Sequence, residues 1–201
     1  MHSNTINKVI ALSNLQFASC SFDCTIKIWS IEKYTQIPIA ILHGHKSKIS
    51  SLLYIKNQNF LISCAWDKTL RVWSLLTYQC VSVFKAERCF IIHCFDVIDD
   101  NVIAGGEEEM FVVNIKRGKI EEVYQLEKFH SVNSVMRLRD GNLLFACGTR
   151  EFSIYDKKNK KFTKIETDDL HSNIIAIDKE TFASSYDNIH INIWKYYINL
   201  I

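Results

Sequence analysis

The sequence predicts an all-β chain of repeated four-stranded antiparallel sheets, arranged radially rather than stacked as a sandwich. Three observations carry that prediction. The stretch from Leu61 to Trp73 reads as an apolar strand, a tight turn at Trp66-Asp67-Lys68 and the alternating strand Thr69-Leu70-Arg71-Val72-Trp73, which is a β-hairpin. The same frame occurs from Phe17 to Trp29 and again from Phe182 to Trp194. With the Trp73 position as a marker, copies fall at Trp29, Trp73, Asn114, Tyr155 and Trp194, at spacings of 44, 41, 41 and 39 residues. No segment shows the 3.6-residue amphipathic period of a long helix.

Each unit reads in the same order. An apolar strand opens it (Val9 to Leu12, Ile49 to Ile55, Phe90 to Val97, Val132 to Leu138, Ile174 to Ile177), and a compact polar turn follows. The hairpin comes next, and then a further strand such as Ile37 to Leu42 or Cys80 to Phe84. The units divide the chain at about 1–42, 43–84, 85–128, 129–169 and 170–201, a single repeat domain.

Composition narrows the function. The 201 residues are 48% hydrophobic with one proline and six glycines, ordinary for a globular chain able to bury a core. Apolar runs stop short of the roughly 18 residues a membrane span needs, so no integral membrane protein is expected. The N-terminus has neither the basic nor the apolar region of a signal peptide. Seven cysteines without CxxC pairs are read as reduced thiols of an intracellular protein, three of them (Cys20, Cys64, Cys147) at one repeat position. A net charge of +2 exerts no general pull toward nucleic acid.

Gly44-His45 opening the second unit, followed by Ser63, Asp67 and Trp73, resembles the WD-repeat family of β-propellers. The resemblance covers the whole chain and is strongest in units one, two and five. The Trp-Asp dipeptide is mostly absent: Ser30, Ser74 and Lys195 follow the tryptophans, and Asp156 after Tyr155 keeps the aspartate. It implies four-stranded blades, with each unit's last strand completing a neighbouring blade. Five units are fewer than such rings usually close with, so an incomplete ring, a fragment of a seven-bladed one, is expected, with open edges at blades one and five.

A Ser, a His and an Asp in one repeat invite a hydrolase reading. The trio recurs, however, as His2, Ser19 and Asp23 and in part as His171 and Ser184, whereas an enzyme needs one triad. The resemblance implies a buried structural network instead: Trp73, Ser63, His45 and Asp67 in unit two; Trp29, Ser19, His2 and Asp23 in unit one; Trp194, Ser184 and His171 in unit five. Unit three has Ala86-Glu87 and Ala104 at the His and Ser positions, and unit four has Ala146 and Tyr155, so these two are expected to be the softest. His43 with His45, and Cys20 with Cys24, lack the second pair a zinc site requires. No nucleotide loop or nucleophile elbow occurs, and no metal, cofactor or small-molecule substrate is expected.

The resemblance implies a non-catalytic scaffold or adaptor that presents loops to protein or peptide partners. The residue before the turn Asp then lies on the top rim, at Phe22, Trp66 and, if Asp187 is the turn residue, Tyr186. If Asn188 is the turn residue, the position falls to Asp187. Lys116, Arg117 and Lys119 in one bottom turn, with Lys157, Lys158, Lys160 and Lys161 in the next, form a basic patch suited to an anionic tail, phospholipid or RNA. A ubiquitin-ligase substrate receptor is a further reading, from the tetrapeptide Tyr155-Asp156-Lys157-Lys158, which has lysine where the family motif has arginine. A five-bladed glycosidase is disfavoured, because the first strands offer no carboxylate pair.

Overall fold

The computed structural model describes residues 1–13, 15–32, 37–87, 93–98, 101–106, 109–125, 132–147, 149–156, 158–178, 181–186 and 190–195. The chain forms two compact units, Met1–Gln125 and Leu126–Ile201.

The first unit holds three four-stranded antiparallel sheets, each a meander in chain order. Sheet one comprises β1 (Ile6–Ala11), β2 (Gln16–Ser21), β3 (Thr25–Ser30) and β4 (Ala40–His43). Sheet two comprises β5 (Ile49–Ile55), β6 (Phe60–Ala65), β7 (Thr69–Ser74) and β8 (Cys80–Lys85). Sheet three comprises β9 (His93–Ile98), β10 (Asn101–Gly105), β11 (Glu109–Asn114) and β12 (Lys119–Gln125). The first strands β1, β5 and β9 are neighbours, as a radial arrangement requires.

Sheet two shows why its strands are apolar on both faces. Along β7 the period of two sends Leu70 and Val72 to one side and Trp73 to the other. Leu70 and Val72 join Ile62 and Cys64 against Val102, Phe111 and Val113 of sheet three. Trp73 joins Ile49, Leu52 and Leu61 against Ala18, Ile26 and Ile28 of sheet one. Burial on both faces leaves no solvated side to mark by polar residues.

Some boundaries differ from the sequence reading. The strand expected from Ile37 begins at Ala40, because Pro38 has no N–H to pair and Ile37 stays exposed. The strand expected from Phe90 is His93–Ile98, with 90–92 outside the described residues. The marker of unit three shifts as well. Leu61 pairs with Trp73, and its counterpart Val102 pairs with Val113, not with Asn114. The hairpin turn there is one residue shorter than in unit two, where Cys64 pairs with Leu70; Gly105 pairs with Met110.

The second unit is one six-stranded sheet: β13 (Ser134–Arg137), β14 (Leu143–Ala146), β15 (Thr149–Asp156), β16 (Lys161–Ala176), β17 (Thr181–Tyr186) and β18 (His190–Lys195). The long β16 pairs with β15 from Asp156↔Lys161 to Glu151↔Glu166, then with β17 from His171↔Tyr186 to Ala176↔Phe182. It therefore serves as the fourth strand of unit four and the first strand of unit five, and the expected division between residues 129–169 and 170–201 falls inside it. Between β4 and β5 the chain leaves the sheet through Gly44-His45. The backbone passes close there: a Cβ would lie 2.9 Å from Arg71 Nη1, which can swing aside, and 3.1 Å from the buried Trp73 ring, which would have to give slightly. The corresponding stretch of β16 has no glycine, and residues 167–170 stay extended as a bulge opposite Arg150.

Register in the second unit also moves two assignments. Leu143 pairs with Tyr155 as Leu61 does with Trp73, which puts Phe145, not Ala146, at the Ser63 position. Ala146 then takes the Cys64 position, and Cys147 lies one residue beyond it. Of the three cysteines expected at one repeat position, Cys20 and Cys64 share it and Cys147 does not.

Candidate functional site

Three turns and the strands beside them position the polar side chains of units one and two. In unit two the Trp73 indole Nε1 donates to Ser63 Oγ at 2.8 Å, and His45 Nε2 lies 2.7 Å from the same oxygen. His45 Nδ1 lies 2.9 Å from Asp67 Oδ2. A carboxylate can only accept, so Nδ1 carries the proton, and in the neutral ring Nε2 accepts from the Ser63 hydroxyl. Unit one repeats the chain of contacts: Trp29 Nε1 to Ser19 Oγ at 2.8 Å, His2 Nε2 to Ser19 Oγ at 2.8 Å, and His2 Nδ1 to Asp23 Oδ2 at 2.8 Å. Ser19 and Ser63 are buried with the hydroxyl oxygen already occupied by an indole N–H, so neither is placed to meet a substrate.

Two members of this network were not singled out from sequence. Thr69 Oγ1 donates to Asp67 Oδ1 at 2.6 Å and Thr69 N–H donates to the same oxygen at 3.0 Å; Thr25 does the same to Asp23 at 2.6 and 3.0 Å. The signal is Asp-x-Thr in a hairpin turn, an Asx-turn in which the middle residue adopts positive φ. Cys24 has φ 67° and Lys68 has φ 65°. Each aspartate also accepts the backbone N–H of the residue after the histidine, Ser3 at 3.0 Å or Lys46 at 2.8 Å. This ties the inter-strand loop to the hairpin tip.

Unit three keeps that last tie by another route. Glu109, buried at the threonine position, accepts the Glu87 N–H through Oε1 at 3.1 Å. With one residue fewer in the turn, the longer side chain reaches what Asp67 reaches in unit two. Glu109 is thus a buried acceptor, and its neighbours 107 and 108 lie outside the described residues. In unit five, Trp194 Nε1 donates to Ser184 Oγ at 2.7 Å. The backbone register sets His171 opposite Tyr186, where Ile49 stands opposite Ala65, four residues past the place of His45. The side chains of His171 and Tyr186 lie outside the described residues.

Burial pushes the Asp67 carboxyl upward, but the hydrogen bonds from His45, Thr69 and Lys46 outweigh it and hold it well below the usual carboxylate range. Asp23 is held low in the same way by Thr25, His2 and Ser3. The stability these groups contribute is complete above about pH 4, where the unfolded carboxylates are ionised, and is lost as pH falls below that toward the folded values. Guanidinium midpoints measured from pH 6 to pH 2 should thus fall steeply below about pH 4, and less steeply in Asp67→Asn. A variant with the wild-type acid slope would exclude Asp67 as a source of it.

At the hairpin tips, outside the network, the two predicted aromatics meet. The Phe22 and Trp66 rings lie 6.2 Å apart at 50°, and Lys48 Nζ sits 4.9 Å from the Phe22 centroid and 4.8 Å from the Trp66 centroid. The backbone places them: Trp66 N–H donates to Lys48 O at 2.9 Å, and Phe22 N–H donates to Thr5 O at 2.9 Å. Trp66 remains 41% exposed. Lys48 thus joins exposed π surface to positive charge, and Lys68 follows Trp66 in the same hairpin turn.

The basic turns are separate features of the two units. Lys116 and Arg117 occupy the turn between β11 and β12, with Lys119 opening β12, and Arg117 Nη1 pairs with Glu121 Oε1 at 3.0 Å. Lys158 and Lys160 lie in the turn before β16, which Lys161 opens; Lys157 lies outside the described residues. Asp156 spends its carboxylate on that turn, accepting from the backbone N–H groups of Asn159 at 3.0 Å and Lys158 at 2.8 Å. Among the described residues no group of three or more His, Cys, Asp or Glu could hold a metal ion, and no helix is long and apolar enough to cross a membrane. The described cysteines Cys20, Cys24, Cys64, Cys80 and Cys147 are not in disulfides, and burial pushes the Cys147 thiol up to about 11.

Residues 1–30 and 36–74 match the family model described as WD domain, G-beta repeat. Over 62 residues the chain is 36% identical to DDB1- and CUL4-associated factor 10 of Xenopus laevis and 34% identical to that of Homo sapiens. That stretch is 31% of this chain but only 13% and 11% of those relatives. Among solved structures, U3-55K superposes with a TM-score of 0.80 at 16% identity, covering 97% of this chain and 62% of that one. The RRP9 WD40 repeats superpose with a TM-score of 0.81, also at 16% identity, covering 97% and 61%. At that identity the superpositions speak for the fold.

Proposed function

We propose that this chain, whose residues 1–30 and 36–74 match the WD-repeat model and which superposes on WD40 propeller structures, is an intracellular, non-catalytic protein-interaction module that offers the hairpin-tip rim at Phe22, Trp66 and Lys48 to a peptide segment of a protein partner. The observation that carries this reading is the aromatic pair itself. Large aromatics have no conformational reason to occupy tight polar turns, and Trp66 keeps much of its surface in water. Aromatic side chains of this kind dominate interface energetics, at roughly 2 kcal/mol or more when truncated. Lys48 over both rings favours a segment that combines an apolar side chain with a carboxylate or phosphate. In unit five the register sets Tyr186 at the place of Ala65, one residue short of the Trp66 position, so the expected third rim aromatic is not in register with Phe22 and Trp66; position 187 lies outside the described residues.

The test compares Phe22→Ala with Trp66→Ala in one chain against Lys116→Glu with Arg117→Glu. The first should keep the far-ultraviolet circular dichroism of the parent and lose the partners recovered with it, while the second keeps them. Retention by the first and loss by the second would move the interaction to the basic turns.

A second reading is favoured by the 62-residue similarity: a substrate receptor of a cullin-type ubiquitin ligase. The relatives' name places them with DDB1 and CUL4. In this chain the Asp156 carboxylate is engaged by its own turn, and lysines stand where arginines would provide a bidentate fork. Co-purification of the chain with DDB1, abolished by Asp156→Ala at the surface turn with the circular dichroism unchanged, would establish that role; no association would remove it.

A further inference from the structure

The same interface between neighbouring sheets is made inside the first unit and left open at two places elsewhere. Each sheet has a face that meets the following sheet and a face that meets the preceding one. On sheet one, Ile26 and Ile28 form the following face and are both 0% exposed, because Ile49, Leu52, Leu61 and Trp73 of sheet two cover them. In β18 the corresponding residues are Ile191 and Ile193, by the pairing of Phe182 with Trp194 as Phe17 pairs with Trp29. They are 73% and 71% exposed. The opposite side of β18 is occupied: Trp194 packs on the cluster of Phe152, Ile154, Leu144 and Phe182.

The complementary face is open on sheet one. Ile49 and Leu52, which meet the preceding sheet in unit two, are 0% exposed. Their register counterparts are Ile6, opposite Ser21, and Val9, opposite Ser19, and these are 51% and 55% exposed. Beside them the Phe17 and Trp29 rings stack at 6.0 Å and 12°, at the places of Leu61 and Trp73.

We propose that these two faces are the halves of one intermolecular interface, in which β18 of one copy packs Ile191 and Ile193 against Ile6, Val9, Phe17 and Trp29 of a second copy. The occupant follows from the molecule's own example, since the contact continues the interface already built between sheets one and two. An isoleucine pair on a third strand is covered there by β-branched and aliphatic residues of a first strand and an aromatic on a third. This chain carries both halves, so association is head-to-tail and generates a ring or an open series of copies. Beaded apolar side chains on an unpartnered blade are a recognised association hazard, and a matched partner removes it.

The test is sedimentation over a range of protein concentrations. The parent chain should show a mass that rises with concentration. Ile191→Lys with Ile193→Lys, and separately Ile6→Lys with Val9→Lys, should each sediment as single chains, because each removes one half. Mixing the two variants should restore a two-chain species and nothing larger, since each supplies the half that the other lacks. The four positions are more than half exposed in the single chain, so folding should survive; Ile191→Thr with Ile193→Thr, which keeps β propensity, repeats the test if the lysine pair unfolds. A parent chain that stays single at every concentration overturns the proposal. So do variants that associate like the parent, or a mixture no heavier than its components.

Discussion

Replacing His45 with alanine should lower the free energy of unfolding by about 2–4 kcal/mol. The imidazole is buried and links Asp67 to Ser63, so its removal leaves a carboxylate and a hydroxyl short of a partner in the same enclosed space. The cost lies in those stranded groups more than in the two lost bonds. Thr69→Val removes one donor at the edge of the network and should cost about 1 kcal/mol. Guanidinium unfolding followed by circular dichroism, with unchanged slopes, is the measurement. A loss for His45→Ala no larger than that for Thr69→Val would show that the histidine is dispensable to the network.

Tyr155→Ala should cost about 3–5 kcal/mol, as much as the His45 change or more. The sequence alone argues the reverse, since unit four lacks the serine and tryptophan and reads as a weakened copy. In the structure Tyr155 is buried, its ring centroid is 4.9 Å from that of Phe162, and Phe162 lies 6.0 Å from Phe145, which fills the place of the serine. An aromatic cluster has replaced a hydrogen-bonded one. Deleting the Tyr155 ring leaves a cavity that strand backbones cannot collapse to fill, whereas Tyr155→Phe keeps the ring and should cost about 1 kcal/mol or less. The same unfolding measurement decides it: a loss for Tyr155→Ala under about 1 kcal/mol would return unit four to the status of a degraded repeat.

What the sequence by itself determined is whatever depends on local spacing. Strict alternation in Thr69 to Trp73 and the Asp-containing turn before it specify a hairpin within thirteen residues, and the repeat of that frame specifies the sheets. The residue types His, Ser, Asp and Trp at those spacings carried the resemblance that implies the network, and the recurrence of the trio argued against a single catalytic triad. Phe22 and Trp66 were singled out through the resemblance, which implies a rim position for the residue before the turn aspartate. Lys48 was not. It comes from the loop before β5, and only the packing of two hairpin tips brings its ammonium over both rings. The tertiary structure also decided register wherever the motif faded. A turn shortened by one residue moves the marker of unit three to Val113 and lets Glu109 stand in for an aspartate, a change with no signature in residue type. It decided that β16 runs unbroken through two units, pairing with β15 at one end and with β17 at the other. And it decided which isoleucines are core. Ile28 and Ile193 occupy the same place in the same pattern, and whether a neighbouring sheet covers them makes one wholly buried and the other open to water.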